Sequence, residues 1–552
     1  MSIRTSSEDS AADPPPDSEQ SASSRVSVPF GNGEPRPAWA EPALKTETLL
    51  NDVITQTTAA RSEGVSDVDR FLRAPSPWLA ISLWLGLSPG DPVPERAVIT
   101  ARLNRDIARI DRLISAQLNA ILHHRQFQRL EASWRGLAYL VDGLPEGDSI
   151  KIRVLSLSWQ ELTQDQDRAL EFDQSQLFRK VYESEFGHPG GEPFGVLLGD
   201  YEIHHRAGGA DHPFANDIET LGKVGAVAAA AFAPFITGVH PSFFGLDHYS
   251  ELARPLNLPR TFEQLEYLKW RALRQAEDSR FVGLVLPRIL MRLPYGPRGS
   301  IAAGISFQED VGGVDRNKYL WANAIYAFGS ILLRAFASSG WLADIRGVRQ
   351  GKGDGGKRIC LEDAGLVTGL PVHSFLTDRN GIAFKCSTEV IVTDEQEKGL
   401  DELGFIPLCH CHDTEYSAFY TCTSIQKPTV YDEEVATANA RISSMLQYML
   451  CVSRFSHYIK VISRDKVGGM ISPEEVEEYL RQWLRNYTTS NDTGGSELKA
   501  KFPLREAKVQ VRERRDQPGT YQCVIHLRPH YQLEHMRTSL KLSTELAPGR
   551  PI

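Results

Sequence analysis

Between Glu95 and His124 the apolar residues Ile99, Leu103, Ile107, Ile110, Ile114, Leu118 and Ile121 recur at steps of three and four. That period marks one face of a helix, with charged residues opposite. Residues 150–158, IKIRVLSLS, alternate instead and predict a strand. ELTQDQDRALEFDQSQLFRKVYESEFG (161–187) returns to a helical pattern, and FGVLLGDYEI (194–203) reads as a buried-type strand. Two more helices are expected over 317–341 and 436–468. Helices and strands interleaved at these lengths predict an α/β fold with α+β mixing.

The two ends differ from this middle. Residues 1–45 are rich in Ser, Pro and acidic residues, a composition that cannot bury enough apolar surface to order alone. In TETLLNDVITQTTAAR (46–61) Leu49, Leu50, Val53 and Ile54 share a helical face, and Thr48 suits the N-cap. Such a helix either docks in a groove elsewhere or packs on its own domain. At the C-terminus REAKVQVRERR, TYQCVIHLRP and HMRTSLKLSTEL alternate as three strands separated by turns. Met536, Thr538, Leu540, Leu542 and Thr544 lie on one face of the last, an edge strand open to pairing with another chain.

Composition narrows the class. With 552 residues, 41% hydrophobic and 24% charged, the chain is globular and long enough for two to four domains. A net charge of −9 gives no footprint for nucleic acid. Seven scattered cysteines point to reduced thiols in a cytoplasm. The opening residues are polar and acidic where an export signal would be apolar. The apolar runs 78–87 and 224–236 are too short to span about 30 Å of hydrocarbon, so no direct membrane insertion is expected.

Candidate chemistry is sparse. PLCHCHDTEY (407–416) gathers Cys409, His410, Cys411 and His412, but a strand turns the cysteines to one face and the histidines to the other. A closed zinc site joins two pairs at spacings such as C-x2-C, and no second pair follows. The spacing favours a core strand over a metal site. Gly351–Lys357, GKGDGGK, has the spacing of a phosphate-binding loop, yet Arg358 stands where Ser or Thr would hold magnesium. A surface loop is the better reading. Adjacent His123–His124 and His204–His205 diverge by about 100° on a helix. No residue pattern calls for a cofactor or for catalysis.

Several long stretches together resemble one family. They are ISAQLNAILHHRQFQRLEASWRGLAYLVDGL (114–144), FGHPGGEPFGVLLGDYE (186–202), AEDSRFVGLVLPRILMRLPYG (276–296), YLWANAIYAFG (319–329) and ELGFIPLCH (402–410). ATANARIS (436–443), VSRFSHYIKVISRDKVG (452–468) and LRPHYQLE (527–534) continue the series. The chain is identified by them as a member of the large-subunit family of the type VI secretion contractile sheath, called TssC, VipB or EvpB. The resemblance covers roughly 45–547 in order.

It implies a structural role without catalysis or cofactor. Such subunits pair with a small partner, TssB (VipA), and stack helically around an inner tube of Hcp on a baseplate. Contraction then drives the tube out of the cell. The implied layout is a tail (1–45), a docking helix (46–62), an N-terminal sheath region (63–395) with a Gly-rich insertion at 347–366, and a C-terminal sheath region (396–552). In the family, sheets are completed between neighbouring subunits, which assigns 534–546 to an inter-subunit strand. Leu49, Leu50, Val53 and Ile54 match the helix that the unfoldase ClpV grips, while Asn51, Thr57 and Thr58 depart from its charge pattern. Two other readings remain open: a sheath protein of another phage-tail-like machine, and a nucleotide-binding enzyme using Gly351–Lys357.

Overall fold

The computed structural model describes residues 67–88, 91–92, 94–144, 150–205, 216–254, 256–296, 305, 307–312, 315–352, 358–376, 383–412, 414–465, 472–491, 495–513 and 521–530. The tail, Leu49, Leu50, Val53 and Ile54, and the strand carrying Met536 to Thr544 lie outside them. The chain divides into two units, Met1–Arg105 and Asp106–Ile552. In the first, helices Asp67–Leu72 and Pro77–Leu85 turn back on each other, and Phe71 meets Trp84 at 5.5 Å between ring centroids. Ser76 caps the second helix by accepting from the Leu79 N–H.

In chain order the strands are β1 (Leu197–Ile203), β2 (Phe235–Val239), β3 (Val282–Leu286), β4 (Ile289–Arg292) and β5 (Leu320–Ala322). There follow β6 (Gln350–Lys352), β7 (Arg358–Cys360), β8 (Leu366–Val367), β9 (His373–Leu376) and β10 (Ala383–Cys386). Last come β11 (Ile406–His410), β12 (Ser417–Phe419), β13 (Leu504–Glu513) and β14 (Tyr521–Pro529). Six of them form one sheet in the order β1-β2-β3-β11-β12-β8. The first four run parallel, and the last two pairings are antiparallel.

Both faces of this sheet are buried. On one, Phe235, Val282, Leu284 and Cys409 join Leu221, Val224 and Ala228 of helix Asp217–Ala231. On the other, Ile236, Val285, Ile406 and Leu408 meet Phe328 and Ile331 of helix Ile325–Ser339. This is the continuous apolar run that a doubly covered parallel strand requires. Helix Arg125–Asp142 packs outside Ile325–Ser339 through Ala132, Gly136 and Leu140. A Cβ on Gly136 would come 2.4 Å from the Tyr326 ring, so that close approach requires glycine.

Several expectations are corrected. Among the described residues, 150–157 form no ladder. The helix expected over 161–187 breaks into Trp159–Arg168, short turns, and a π-helix over Arg179–Gly187. Ala169 turns extended, and Ser175 starts a fresh turn by accepting from Phe178 N–H. Tyr182 of the π-helix stacks on Phe178 just before it at 4.7 Å and meets Phe186 edge-on at 5.2 Å. The helix expected over 317–341 begins only at Ile325, because 320–322 pair with β4. The helix over 436–468 splits at Met445, where an isolated bridge to Thr423 draws the backbone extended.

The second half of that split helix, Leu446–Asp465, is shared between two cores. Leu446 and Leu450 enter the sheet's second core, whereas Cys451 and Phe455 enter a C-terminal core with Trp341, Leu480, Leu484, Leu504 and Val509. There β13 and β14 pair as a hairpin under helix Pro473–Arg485, which opens with a Ser472–Glu475 capping box and Pro473 in its first turn. The two C-terminal strands expected before residue 530 are present.

Replacing Gly136 by Ala should lower stability by about 1–3 kcal/mol through overpacking against Tyr326. Thermal unfolding of the purified complex would show it as a reduced midpoint, and an unchanged midpoint would mean the two helices separate at no cost.

Candidate assembly surfaces and buried charge

The cysteine–histidine stretch resolves into a core strand. Cys409 packs into the first core and pairs in register with Ala418. Burial, and then the charge of Glu397, push its thiol far up, away from the thiolate that a metal needs. His410 points to the opposite face, where Nδ1 lies 3.2 Å from Ser417 Oγ and 3.4 Å from Ser387 Oγ. Cys411 leaves the strand and sits 3.7 Å from the Tyr420 hydroxyl. The side chains therefore diverge.

Of the glycine-rich stretch, Gly351 and Lys352 are described and 353–357 lie outside the described residues. Gln350–Lys352 and Arg358–Cys360 pair antiparallel, so a strand follows the loop where a phosphate site has a helix. The insertion at 347–366 is thus a hairpin at its base rather than a plain surface loop, and the nucleotide reading loses its structural context.

The histidine pairs diverge as their spacing implies. His123 Nε2 lies 3.4 Å from Glu309. His204 stacks on His240 at 4.3 Å, while His205 stacks on Tyr267 at 3.9 Å.

Sequence reading missed the buried charges, whose partners are distant along the chain. Arg292 on β4 makes two bonds to Glu309, at 2.6 and 3.1 Å, and one of 2.9 Å to Glu131 on helix Arg125–Asp142. Burial would raise the Glu309 carboxyl, but Arg292 and the Tyr295 N–H hold it below the usual range. Arg288, just beyond β3, grips Glu202 of β1 at 2.5 and 2.8 Å and reaches toward Glu389 at 3.5 Å. The one local signal was a charge interrupting an apolar run, as Arg292 does in RILMRLP. These pairs tie β1, β3, β4, the 305–312 segment and the outer helix to one another.

His457, on helix Leu446–Asp465, is another buried polar link. Its Nε2 lies 3.0 Å from the Ala231 carbonyl and its Nδ1 faces an Arg454 N–H at 3.3 Å. The carbonyl needs a donor, so the neutral ring carries its proton on Nε2. Burial, aided by Arg454, lowers its pKa to about 4, and burial lowers that of His240 to about 4 as well.

Outward faces are unusually apolar. No described residue of helix Arg96–Leu122 is buried, and Ile107, Ile110, Leu113 and Ile121 are exposed. On helix Arg125–Asp142, Leu130 and Trp134 are 57% and 65% exposed on the side away from Gly136. Exposed apolar stripes of this kind are larger than a solvated face needs.

Profiles of two domains match the chain: EvpB/VC_A0108 tail sheath N-terminal domain over residues 104–426, and EvpB/VC_A0108 tail sheath gpW/gp25-like domain over 435–546. The type VI secretion system sheath protein TssC1 of Pseudomonas aeruginosa is 41% identical over 447 residues, 80% of this chain and 86% of that protein. Among solved structures, the anti-feeding prophage baseplate aligns with 72% of this chain and 84% of that one, at 9% identity and a TM-score of 0.33. The contracted helical sheath of the anti-feeding prophage aligns with 60% and 76%, at 12% identity and a TM-score of 0.25.

Two outcomes follow from the buried charge. Arg292→Ala strands the Glu309 carboxylate in the interior and should cost about 3–5 kcal/mol, read as a lower denaturant midpoint. Stability should also fall with acid. The unfolded chain protonates His240 and His457 near pH 6.5 and the folded chain only near pH 4, so stability is lost as pH drops through that window. His457→Gln should flatten that slope in melts run from pH 7 to 4.

Proposed function

The chain belongs to the EvpB/VC_A0108 tail sheath family and is a structural subunit of a type VI secretion contractile sheath; on that premise we propose how it assembles and moves. It pairs with a small sheath subunit of the TssB (VipA) type, and the pairs stack helically around an Hcp tube on a baseplate in the cytoplasm. The observation that carries this is the ordered match of both sheath domains, over 104–426 and 435–546, together with 41% identity to a TssC1 protein over 447 residues.

The apolar stripes of helices Arg96–Leu122 and Arg125–Asp142 support a subunit made to be covered. The antiparallel pairing of Gln350–Lys352 with Arg358–Cys360, a strand where a phosphate-binding loop would lead into a helix, supports a chain that hydrolyses nothing itself. Work then comes from packing between subunits that is metastable in the extended sheath and relaxes on contraction.

Two segments outside the described residues take specific roles in this reading. The helix at 46–62, through Leu49, Leu50, Val53 and Ile54, is the handle for a ClpV-type AAA+ unfoldase. Residues 534–546, with Met536, Thr538, Leu540, Leu542 and Thr544 on one face, form a strand shared with a neighbouring subunit, so that subunits rotate while remaining tethered.

Coexpression with a small subunit of the TssB type, followed by negative-stain microscopy, tests the assembly. Long hollow tubes are expected, and a discrete complex without tubes would refute the sheath role. A Leu540→Asp, Leu542→Asp double variant should keep the heterodimer soluble and abolish tubes. Tubes of normal length from it would place the shared strand elsewhere.

A further inference from the structure

Two carboxylates share one guanidinium where β1 and β3 end, and they share it unequally. Glu202 takes two good bonds from Arg288, at 2.5 and 2.8 Å. Glu389 is left with an Nη1 contact of 3.5 Å, and its Oε2 accepts no hydrogen bond. The Glu202 side chain is 28% exposed and that of Glu389 only 2%. The surplus negative charge therefore lies at the sealed end, where an unmatched carboxylate is most costly.

Among the described residues no second guanidinium pairs with the Glu389 carboxyl. Arg288, Glu202, His248 and Tyr249 face it, and the Tyr249 hydroxyl is already engaged with the Val239 carbonyl. Arg316 meets Glu389 through the backbone, donating to its carbonyl. Beyond Glu202 stand His240, stacked on His204 at 4.3 Å, and Asp217, 3.3 Å from His204. Burial lowers the His240 pKa to about 4, so that ring brings no charge at neutral pH. Two carboxyls held at one cation do not ionise on equal terms, and the better buried, worse bonded one keeps its proton longer. Burial raises the Glu389 carboxyl, and Glu202 adds to the rise against the pull of Arg288. At Glu202 burial acts the same way, but Arg288 outweighs it and holds that carboxyl low.

The Glu389 backbone is fastened to the same corner. Its N–H donates to the Arg288 carbonyl at 3.0 Å, and the Leu290 N–H donates to the Ser387 carbonyl at 2.8 Å. Between them Thr388 forms an antiparallel bridge to Ile289. We propose that Glu389 takes up a proton in the folded subunit, and that this proton secures residues 387–389 against 288–290 by cancelling the surplus charge. Its loss sets the side chain of the segment against the corner that holds the segment's backbone. The stabilisation is full below the ordinary carboxyl value near 4.5 and fades as pH rises through the higher folded value. That sign opposes the histidine effect, which fades as pH falls. The inference goes beyond the assembly reading and does not depend on it.

The full chain, purified with a small subunit of the TssB type, carries the test, read by hydrogen exchange at the amides of Leu290 and residue 389. In wild type, protection at both should fall as pH rises from 5 to 8, while the amides of β2 hold or gain theirs. Glu389→Gln mimics the protonated acid. At pH 8 it should protect the two amides about tenfold better than wild type, with no difference left at pH 4.5. A Glu389→Gln subunit that unfolds at pH 8, or that protects these amides no better than wild type, would show that the corner needs the carboxylate and would overturn the inference. Wild-type protection that stays flat or rises over the same range would overturn it as well.

Discussion

A parallel sheet whose inner strands are apolar on both faces has to be covered on both, and the second unit is organised around that requirement. β2 and β3 are buried at every position, so helix Asp217–Ala231 must lie on one side and helix Ile325–Ser339 on the other. β11 then extends the sheet beside β3, although residues 287–405 separate them in the chain. Among the described residues of that interval, the β4–β5, β6–β7 and β9–β10 pairs lie outside the sheet, while β8 belongs to it as an edge strand. The stretch that looked like a ligand set is the interior strand that joins the parallel part of the sheet to its antiparallel end, and its alternation of Leu408, Cys409 and His410 serves the two cores in turn.

Charge is used inside the unit to fix orientation. Arg292 and Arg288 each join elements that hydrophobic burial alone would hold only loosely in register, and each is matched by carboxylates at hydrogen-bond distance. Paired buried ions add little net stability against an apolar replacement, yet breaking one is costly.

The helix Leu446–Asp465 carries this stiffness into the C-terminal hairpin. Its first turns are part of the sheet's core and its middle is part of the hairpin's, so an unbroken helix connects the two regions matched by the separate sheath domains. Trp341 stacked on Phe455 at 4.1 Å reinforces the junction from the opposite side.

The sequence by itself determined the α/β class, the long helix at 96–122, the strand at 406–410, the β13–β14 hairpin and the family, because each rests on a local period or on an extended run of residues. It also ruled against a closed zinc site, since strand alternation is enough to part Cys409 from His410. Only the tertiary structure decided that 150–157 lacks a ladder, that the helix over 436–468 breaks at Met445, and that Arg292 finds Glu309 and Glu131. In each case the deciding partner is remote: Thr423 for Met445, Glu131 for Arg292, and for 150–157 no described strand at all. Periodicity reports which face a segment buries. Whether a backbone group or a charge finds its partner depends on what the fold brings alongside, and that information is not local.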